Sequence, residues 1–117
     1  NAELADFVKK NYPDSKSDLF AVFMERGFEI TKDLGYMAMI TMQSWMFLSS
    51  YEKMREKLLK DYSISTMAHL DSMVMGIAFG TSATVFNKKK PDANTKGVYF
   101  KINLDDLDEN REIKGLR

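Results

Sequence analysis

The chain of 117 residues has the length of one small domain and the composition of an ordinary folded protein. It carries 17 basic and 17 acidic side chains, so its overall charge gives no sign of a nucleic-acid partner. Cysteine is absent and His69 is the single histidine, which excludes disulfides and thiolate metal sites and argues against a zinc centre. Because neither a membrane-length apolar run nor a secretory signal is visible, we predict a cytoplasmic protein without a membrane partner.

The first part of the chain predicts two helices and a buried strand. The stretch "NAELADFVKKNY" is amphipathic and is broken by Pro13. A wide apolar face then predicts a helix over residues 18–33, with Ser15 or Ser17 as its N-cap and Gly35 as its stop signal. The unbroken apolar run "YMAMIT" follows, which is typical of a strand covered on both faces in a parallel sheet.

The second part predicts one more helix and three more strands. Ser49 or Ser50 caps a helix through about Lys60, whose inward residues we expect to be Met54, Leu58 and Leu59. "YSISTMAHL", "GTSATVFNKK" and "VYFKINL" then read as strands. The order helix, strand, helix, strand predicts a parallel pair joined by a right-handed crossover. The last two strands have no helix between them, so we expect them to be antiparallel neighbours.

These elements do not complete an α/β domain. A doubly wound domain normally has five or more strands, whereas this sequence provides about four. We therefore predict the C-terminal half of an α/β domain at residues 1–104. The polar tail at residues 105–117, "DDLDENREIKGLR", is expected to be frayed or helical.

A polar and aromatic cluster follows the first predicted strand. Gln43, Ser44 and Trp45 come directly after "YMAMIT", and ligands of open α/β sheets lie outside the carboxyl ends of the strands. This location favours a role in a binding site. The alternative is that Trp45 anchors the loop by packing and Ser44 caps a turn.

Several spaced motifs resemble those of adenine-specific DNA methyltransferases, the enzymes whose catalytic motif is Asn-Pro-Pro-Tyr. The chain contains D-L-F-x-x-F-x-E at residues 18–25, G-x-x-x-x-I at residues 35–40 and a variant of L-R-x-x-L at residues 54–58. The longer wording "FVKKNYPDSKSDLFAVFMERG" and "GYMAMITMQSWMFLSSYEKMREKLL" is similar to the PglX type of BREX phage-defence systems. The similarity extends to about Lys90.

The resemblance implies a partial Rossmann-like methyltransferase sheet with a terminal antiparallel hairpin, belonging to an enzyme that binds S-adenosylmethionine and double-stranded DNA. Such enzymes methylate the N6 amine of an adenine that is flipped out of the duplex. They also insert their last hairpin strand between the two preceding strands, which predicts that residues 82–88 lie antiparallel to residues 36–41. Neither Asn-Pro-Pro-Tyr nor the Gly-rich cofactor motif occurs here, so we expect no catalytic residue and no metal ligand in this chain.

The resemblance also assigns candidate site residues. Asp18, Phe20 and Phe23 match the segment in which an aromatic residue borders the adenine of the cofactor, and Phe23 matches best by its position. The alternative is that both rings are core residues and that Asp18 is a helix-start charge. The target-base pocket is assigned Gln43, Ser44 and Trp45 from the first strand end and Met75 or Phe79 from the stretch after the second strand, where relatives carry a stacking aromatic residue.

Two hypotheses of different classes follow. The first is that the chain is a fragment of a DNA adenine N6-methyltransferase from a restriction–modification or BREX system. The fragment is then expected to be inactive alone, and the full-length protein is expected to bind DNA and other defence subunits. The alternative is a non-catalytic α/β interaction module that has lost its cofactor half; the codons upstream of Asn1 would discriminate the two. The lysines of "NKKK", with Lys96 and Lys101, either contact phosphates or are simply solvated. An open sheet face and edge further predict that the isolated chain self-associates.

Overall fold

The computed structural model describes residues 1–115, so Leu116 and Arg117 of the predicted tail lie outside the described residues. The helices are α1 (Ala2–Asn11), α2 (Leu19–Ile30) and α3 (Glu52–Asp61). The strands are β1 (Tyr36–Met42), β2 (Ser63–Leu70), β3 (Thr81–Asn87) and β4 (Val98–Ile102). Short 3-10 turns occur at Gln43–Met46, Ser49–Tyr51 and Leu104–Asp106.

The strands form one sheet in the order β1-β3-β2-β4. β3 lies between β1 and β2 and is antiparallel to both, with Ile40 opposite Ala83 and Met67 opposite Thr84. β1 and β2 therefore run in the same direction, as the helix–strand order predicts, but they are not adjacent. The predicted insertion of residues 82–88 next to residues 36–41 is confirmed.

The prediction that the last two strands are neighbours is wrong. β4 pairs in parallel with β2, with Ala68 opposite Phe100. Both edges of β3 are already occupied by β1 and β2, so β4 can pair only at an outer edge of the sheet. The antiparallel hairpin at this end of the sheet is accordingly formed by β2 and β3.

One face of the sheet carries the hydrophobic core. Helices α2 and α3 pack on this face, and the aromatic ring of Phe86 at its centre is fully buried. The Phe86 ring meets Phe28 edge-on at 5.1 Å, and Phe28 stacks on Tyr62 at 3.9 Å. Helix α1 packs separately, through Val8 and Tyr12, against Val22 of α2. The cluster on the sheet consists of Ala21, Met24, Phe28, Met37, Trp45, Tyr51, Met54, Leu58 and Phe86.

The opposite face of the sheet is not covered by the described residues. Ile40 is 61% exposed and Phe100 is 58% exposed, and both line a shallow apolar depression across the strands. The expectation that "YMAMIT" is covered on both faces is therefore wrong for this chain, because α2 and α3 both lie on the same side.

The ends of α2 differ from the prediction. Asp18 is the N-cap and accepts a hydrogen bond from the Phe20 amide, whereas Ser15 is buried and donates to Glu25 at 2.6 Å. The helix ends at Ile30 rather than at residue 33. The Lys88 ammonium group donates to the carbonyl oxygens of Phe28 and Thr31 at 2.8 and 2.7 Å, which satisfies acceptors that a helix end leaves free.

The start of α3 also differs. Ser49 and Ser50 belong to the preceding 3-10 turn, and the N-cap position is Tyr51, which makes no side-chain cap bond. Met54 and Leu58 face inward as predicted, but Leu59 is 53% exposed. One residue advances about 100° around a helix, so Leu59 cannot share the inward face with Leu58.

As far as residue 115, the polar tail folds into a series of turns. It is neither a frayed end nor an α-helix, contrary to the prediction. Asn103 and Asp106 form a capping box around the turn at Leu104–Asp106. Leu107 then forms an antiparallel bridge with Ile113, which folds the segment 103–114 back on itself.

Candidate active-site rim

Gln43 lies where β1 ends and is held from two sides. The backbone amide of Gln43 donates to the backbone carbonyl of Gly80 at 3.1 Å, just before β3. Its carboxamide Oε1 lies 2.7 Å from Nε2 of His69, near the end of β2. An amide oxygen can only accept, so this contact requires the His69 tautomer that carries its proton on Nε2. His69 is thus a hydrogen-bonded histidine near the end of β2.

Gly80 makes this arrangement possible. A Cβ atom at residue 80 would overlap the carboxamide of Gln43. A larger residue here would push the flexible end of Gln43 away from His69, so the Gln43–His69 contact depends on glycine at residue 80.

Trp45 anchors the loop after β1 from below. It is 3% exposed, its indole Nε1 donates to Thr41 Oγ1 at 3.1 Å, and its ring lies 6.0 Å from that of Phe86. These contacts match the packing alternative for Trp45. Ser44 is half-buried, and the 3-10 turn in which it lies begins without a side-chain cap bond, so the predicted capping role is not observed.

Arg55 of α3 holds the loop after β1 from the side of the helix. No role of its own was predicted for it from the sequence. Its guanidinium donates to the carbonyl oxygens of Trp45 and Leu48 at 2.8 and 2.6 Å. Charge-assisted bonds of this kind fix a loop more firmly than neutral ones. The arginine of the L-R-x-x-L motif was the available signal.

Phe79 and Met75 lie on the segment that joins β2 to β3, at the same edge of the sheet. Their side chains are 60% and 50% exposed, and Phe79 directly precedes the Gly80 that contacts Gln43. Met73 and Ile77 of the same segment are also exposed. The edge formed by residues 43–48 and 71–80 is called the rim below.

The start of α2 lies beside the rim. Phe20 packs against the core and its ring lies 5.9 Å from that of Tyr51. Burial and the nearby charge of Asp18 raise the pKa of the Tyr51 phenol. Phe23, in contrast, is 62% exposed. Of the two candidate aromatic residues, Phe23 has an open ring face and Phe20 does not.

The lysines of "NKKK" lie at the opposite end of the sheet. Asn87 pairs with Tyr36 and Ser63, which are the first residues of β1 and β2, so residues 88–90 follow at the amino ends of these strands. Lys88 is occupied by the end of α2 and is a structural residue. Lys101 lies nearer the rim, opposite His69 in the β2–β4 pair.

Residues 1–115 contain no helix with both the length and the apolar character of a membrane span. In the same range, no group of three or more histidine, aspartate or glutamate side chains is placed to hold a metal ion.

The fold matches part of the class I methyltransferase fold. A crystal structure of a candidate class I S-adenosylmethionine-dependent methyltransferase from Listeria monocytogenes superimposes with a TM-score of 0.53 over 71% of this chain and 26% of that protein, at 21% identity. The model of the Eco57I restriction-modification methylase family matches residues 1–74. The chain belongs to this family.

Two relatives are closer in sequence. The adenine-specific methyltransferase BrxX of Escherichia coli O9:H4 (strain HS) is 44% identical over 97% of this chain. The adenine-specific methyltransferase PglX of Lacticaseibacillus casei (strain Zhang) is 50% identical over 74% of it. The chain spans only 9% and 8% of the length of these two proteins.

Proposed function

We propose that this chain is part of the catalytic domain of a DNA adenine N6-methyltransferase of the BREX type and supplies the target-base side of its active site. The proposal rests above all on the reversed strand β3, which lies between two strands of common direction and brings Gln43, His69 and Gly80 to one edge. The similarity to BrxX over nearly the whole chain supports the adenine amine as the methyl acceptor.

In this proposal the rim holds the adenine and carries out no bond-making step itself. Phe79 and Met75 offer exposed apolar surface against which the flat face of a base can pack. Gln43 and Ser44 form the adjacent wall, and Trp45 shapes it from below by fixing the loop.

S-adenosylmethionine would supply the methyl group as an activated sulfonium in the parent enzyme. Phe23 fits a contact with its adenine, because it lies in the first turns of α2 and is 62% exposed. Phe20 fits less well, since its ring is committed to Tyr51 and the core, and Asp18 is committed to the helix start. The isolated chain is expected to be inactive, because it contains neither Asn-Pro-Pro-Tyr nor a Gly-rich cradle.

The test is a methylation assay with the full-length protein, duplex DNA and S-adenosylmethionine carrying a deuterated methyl group. Mass spectrometry of the digested DNA should find the label in N6-methyladenine. Label in another base, or no labelled base, would contradict the proposal.

Single substitutions connect the activity to the rim. Phe79→Ala in the full-length protein should lower the methylation rate about 5- to 150-fold, since base stacking on an aromatic ring is worth about 1–3 kcal/mol. Tyr36→Ala is the matched control, because Tyr36 is 64% exposed but lies at the other end of the sheet. Equal loss in both variants would contradict the assignment of Phe79 to the base pocket.

A further inference from the structure

Arg111 of the tail contacts Met73 of the rim through its side chain. Met73 and Arg111 both have left-handed backbone, with φ of 68° and 62°, and neither is glycine. One hydrogen bond joins them, since the Arg111 guanidinium donates to the Met73 carbonyl oxygen at 3.1 Å. Strained conformations of this kind persist where the surrounding structure holds them, and they concentrate at functional sites.

The turn that contains Arg111 does not need an arginine. The backbone amide of Arg111 donates to the Asp108 carbonyl at 3.0 Å, and the Asp108 carboxylate accepts from the amides of Asn110 and Glu112. Glycine or asparagine would suit the left-handed position better. The Arg111 side chain therefore makes its hydrogen bond outside the turn, to Met73.

The Met73 carbonyl oxygen accepts two hydrogen bonds, one from within segment 71–80 and one from the tail. Within the segment it accepts from the Gly76 amide at 2.9 Å, while the Met73 amide donates to Ile77 at 2.8 Å. Gly76 suits this turn because its φ is 76°, a left-handed conformation that side chains disfavour. Fixing this carbonyl consequently fixes the turn that carries Met75 and leads to Phe79.

Packing does little to hold this segment in place. Met73, Met75, Ile77 and Phe79 are between 41% and 60% exposed, so few buried contacts restrain the turn. Hydrogen bonds from outside the segment are correspondingly important, and the Asp71 amide donates to the Ile102 carbonyl of β4 at 2.9 Å. Both Ile102 and Arg111 come from the chain after β3.

We infer that Arg111 is a positioning residue that braces the segment 71–80, so that the tail after β4 sets the position of Met75 and Phe79 at the base pocket. The brace itself follows from the contacts above. Its consequence for methylation rests on the proposed function.

The brace is tested by hydrogen exchange on the full-length protein with Arg111→Gly. Glycine accepts the left-handed conformation, so this variant removes the guanidinium without straining the turn. Loss of one charge-assisted bond should speed amide exchange over residues 73–80 about tenfold, while the amides of β3 exchange as before. Arg111→Lys should restore part of the protection, and Glu109→Gln is the neutral control. Unchanged exchange in Arg111→Gly would overturn the brace.

The positioning role is tested by kinetics on two DNA substrates. Arg111→Gly should lower kcat on ordinary duplex DNA and leave the KM for S-adenosylmethionine unchanged. The defect should shrink on a duplex whose target adenine lies opposite an abasic site, because that base is already unpaired. Equal activity of variant and wild type, or an equal defect on both substrates, would overturn the positioning role. If the wild type does not methylate DNA, the proposed function fails, and hydrogen exchange still decides the brace.

Discussion

The Gln43 carboxamide oxygen lies 2.7 Å from Nε2 of His69, although 26 residues separate the two. The contact joins the carboxyl ends of β1 and β2 across β3. The backbone bond from Gln43 to Gly80 adds the start of β3 to the same unit. The rim is therefore held by three strands together rather than by one loop.

Gly80→Ala should break this unit. The new Cβ atom would overlap the Gln43 carboxamide, so the side chain must move and its bond to His69 is lost. We expect destabilisation of about 0.5–1.5 kcal/mol, the worth of one hydrogen bond, because the flexible end of Gln43 can move aside; denaturant unfolding measures it.

The control for this prediction is the Gln43→Ala background, in which the overlapping group is absent. There, Gly80→Ala should cost little, so the two substitutions should be strongly non-additive. Additive effects would show that Gly80 acts through something other than Gln43.

Lys88→Met should destabilise the fold by about 1.5–3 kcal/mol, because two carbonyl oxygens at the end of α2 lose a charged donor. Lys89→Met is the matched control, since Lys89 is an exposed lysine in the same run. Thermal unfolding monitored by circular dichroism compares the two. A Lys88 variant as stable as the Lys89 variant would contradict the capping role.

The fold was largely predictable from the sequence, and each wrong prediction has a physical cause. The apolar runs identified the strands because burial requires them, and the resemblance placed β3 between β1 and β2. The pairing of β4 with β2 was missed because a connection without a helix favours neighbouring antiparallel strands, although the predicted place of β3 between β1 and β2 already occupies both edges of β3. The stop of α2 was missed because its donor, Lys88, is far away in sequence.

The loss of folding stability at acidic pH should depend on Glu29. Hydrogen bonds from Arg26 and then from Tyr12 lower the pKa of this carboxyl group. A lowered folded-state pKa means that the carboxylate contributes stability above its ordinary pKa and that this contribution is lost as the pH falls through the folded-state value.

Glu29→Gln should therefore make unfolding less sensitive to acid from the ordinary glutamate range downward. Tyr12→Phe should have a smaller effect of the same sign, because it removes only the second cause. Denaturant midpoints measured against pH test this. An acid limb identical to that of the wild type would contradict the role of Glu29, although the effect is small because the group is partly solvated.

Only part of the candidate site was visible in the sequence. Gln43 was found because it follows a buried strand, a position at which α/β proteins bind ligands. Arg55, Gly80 and Arg111 were missed because their contacts are made to backbone groups and side chains that only the folded chain brings near. The assignments of Phe23, Met75 and Phe79 came from the resemblance and remain predictions.

The isolated chain should self-associate, most simply as a dimer, through the uncovered sheet face. Ile40→Lys places a charge in that apolar depression and should shift the chain toward monomer in sedimentation experiments. Leu34→Lys is the matched control, because Leu34 is 67% exposed but lies outside the depression. A wild-type chain that sediments as a clean monomer at high concentration would contradict this prediction.

Calorimetric titration of S-adenosylmethionine into the 117-residue chain tests most directly the claim that this chain carries the base side of the site without the cofactor side. One aromatic wall at Phe23 cannot offset the loss of translational and rotational freedom, which is about 4 kcal/mol or more. We predict no measurable binding by the chain, and binding by the full-length protein under the same conditions. Micromolar affinity of the chain alone would contradict the account.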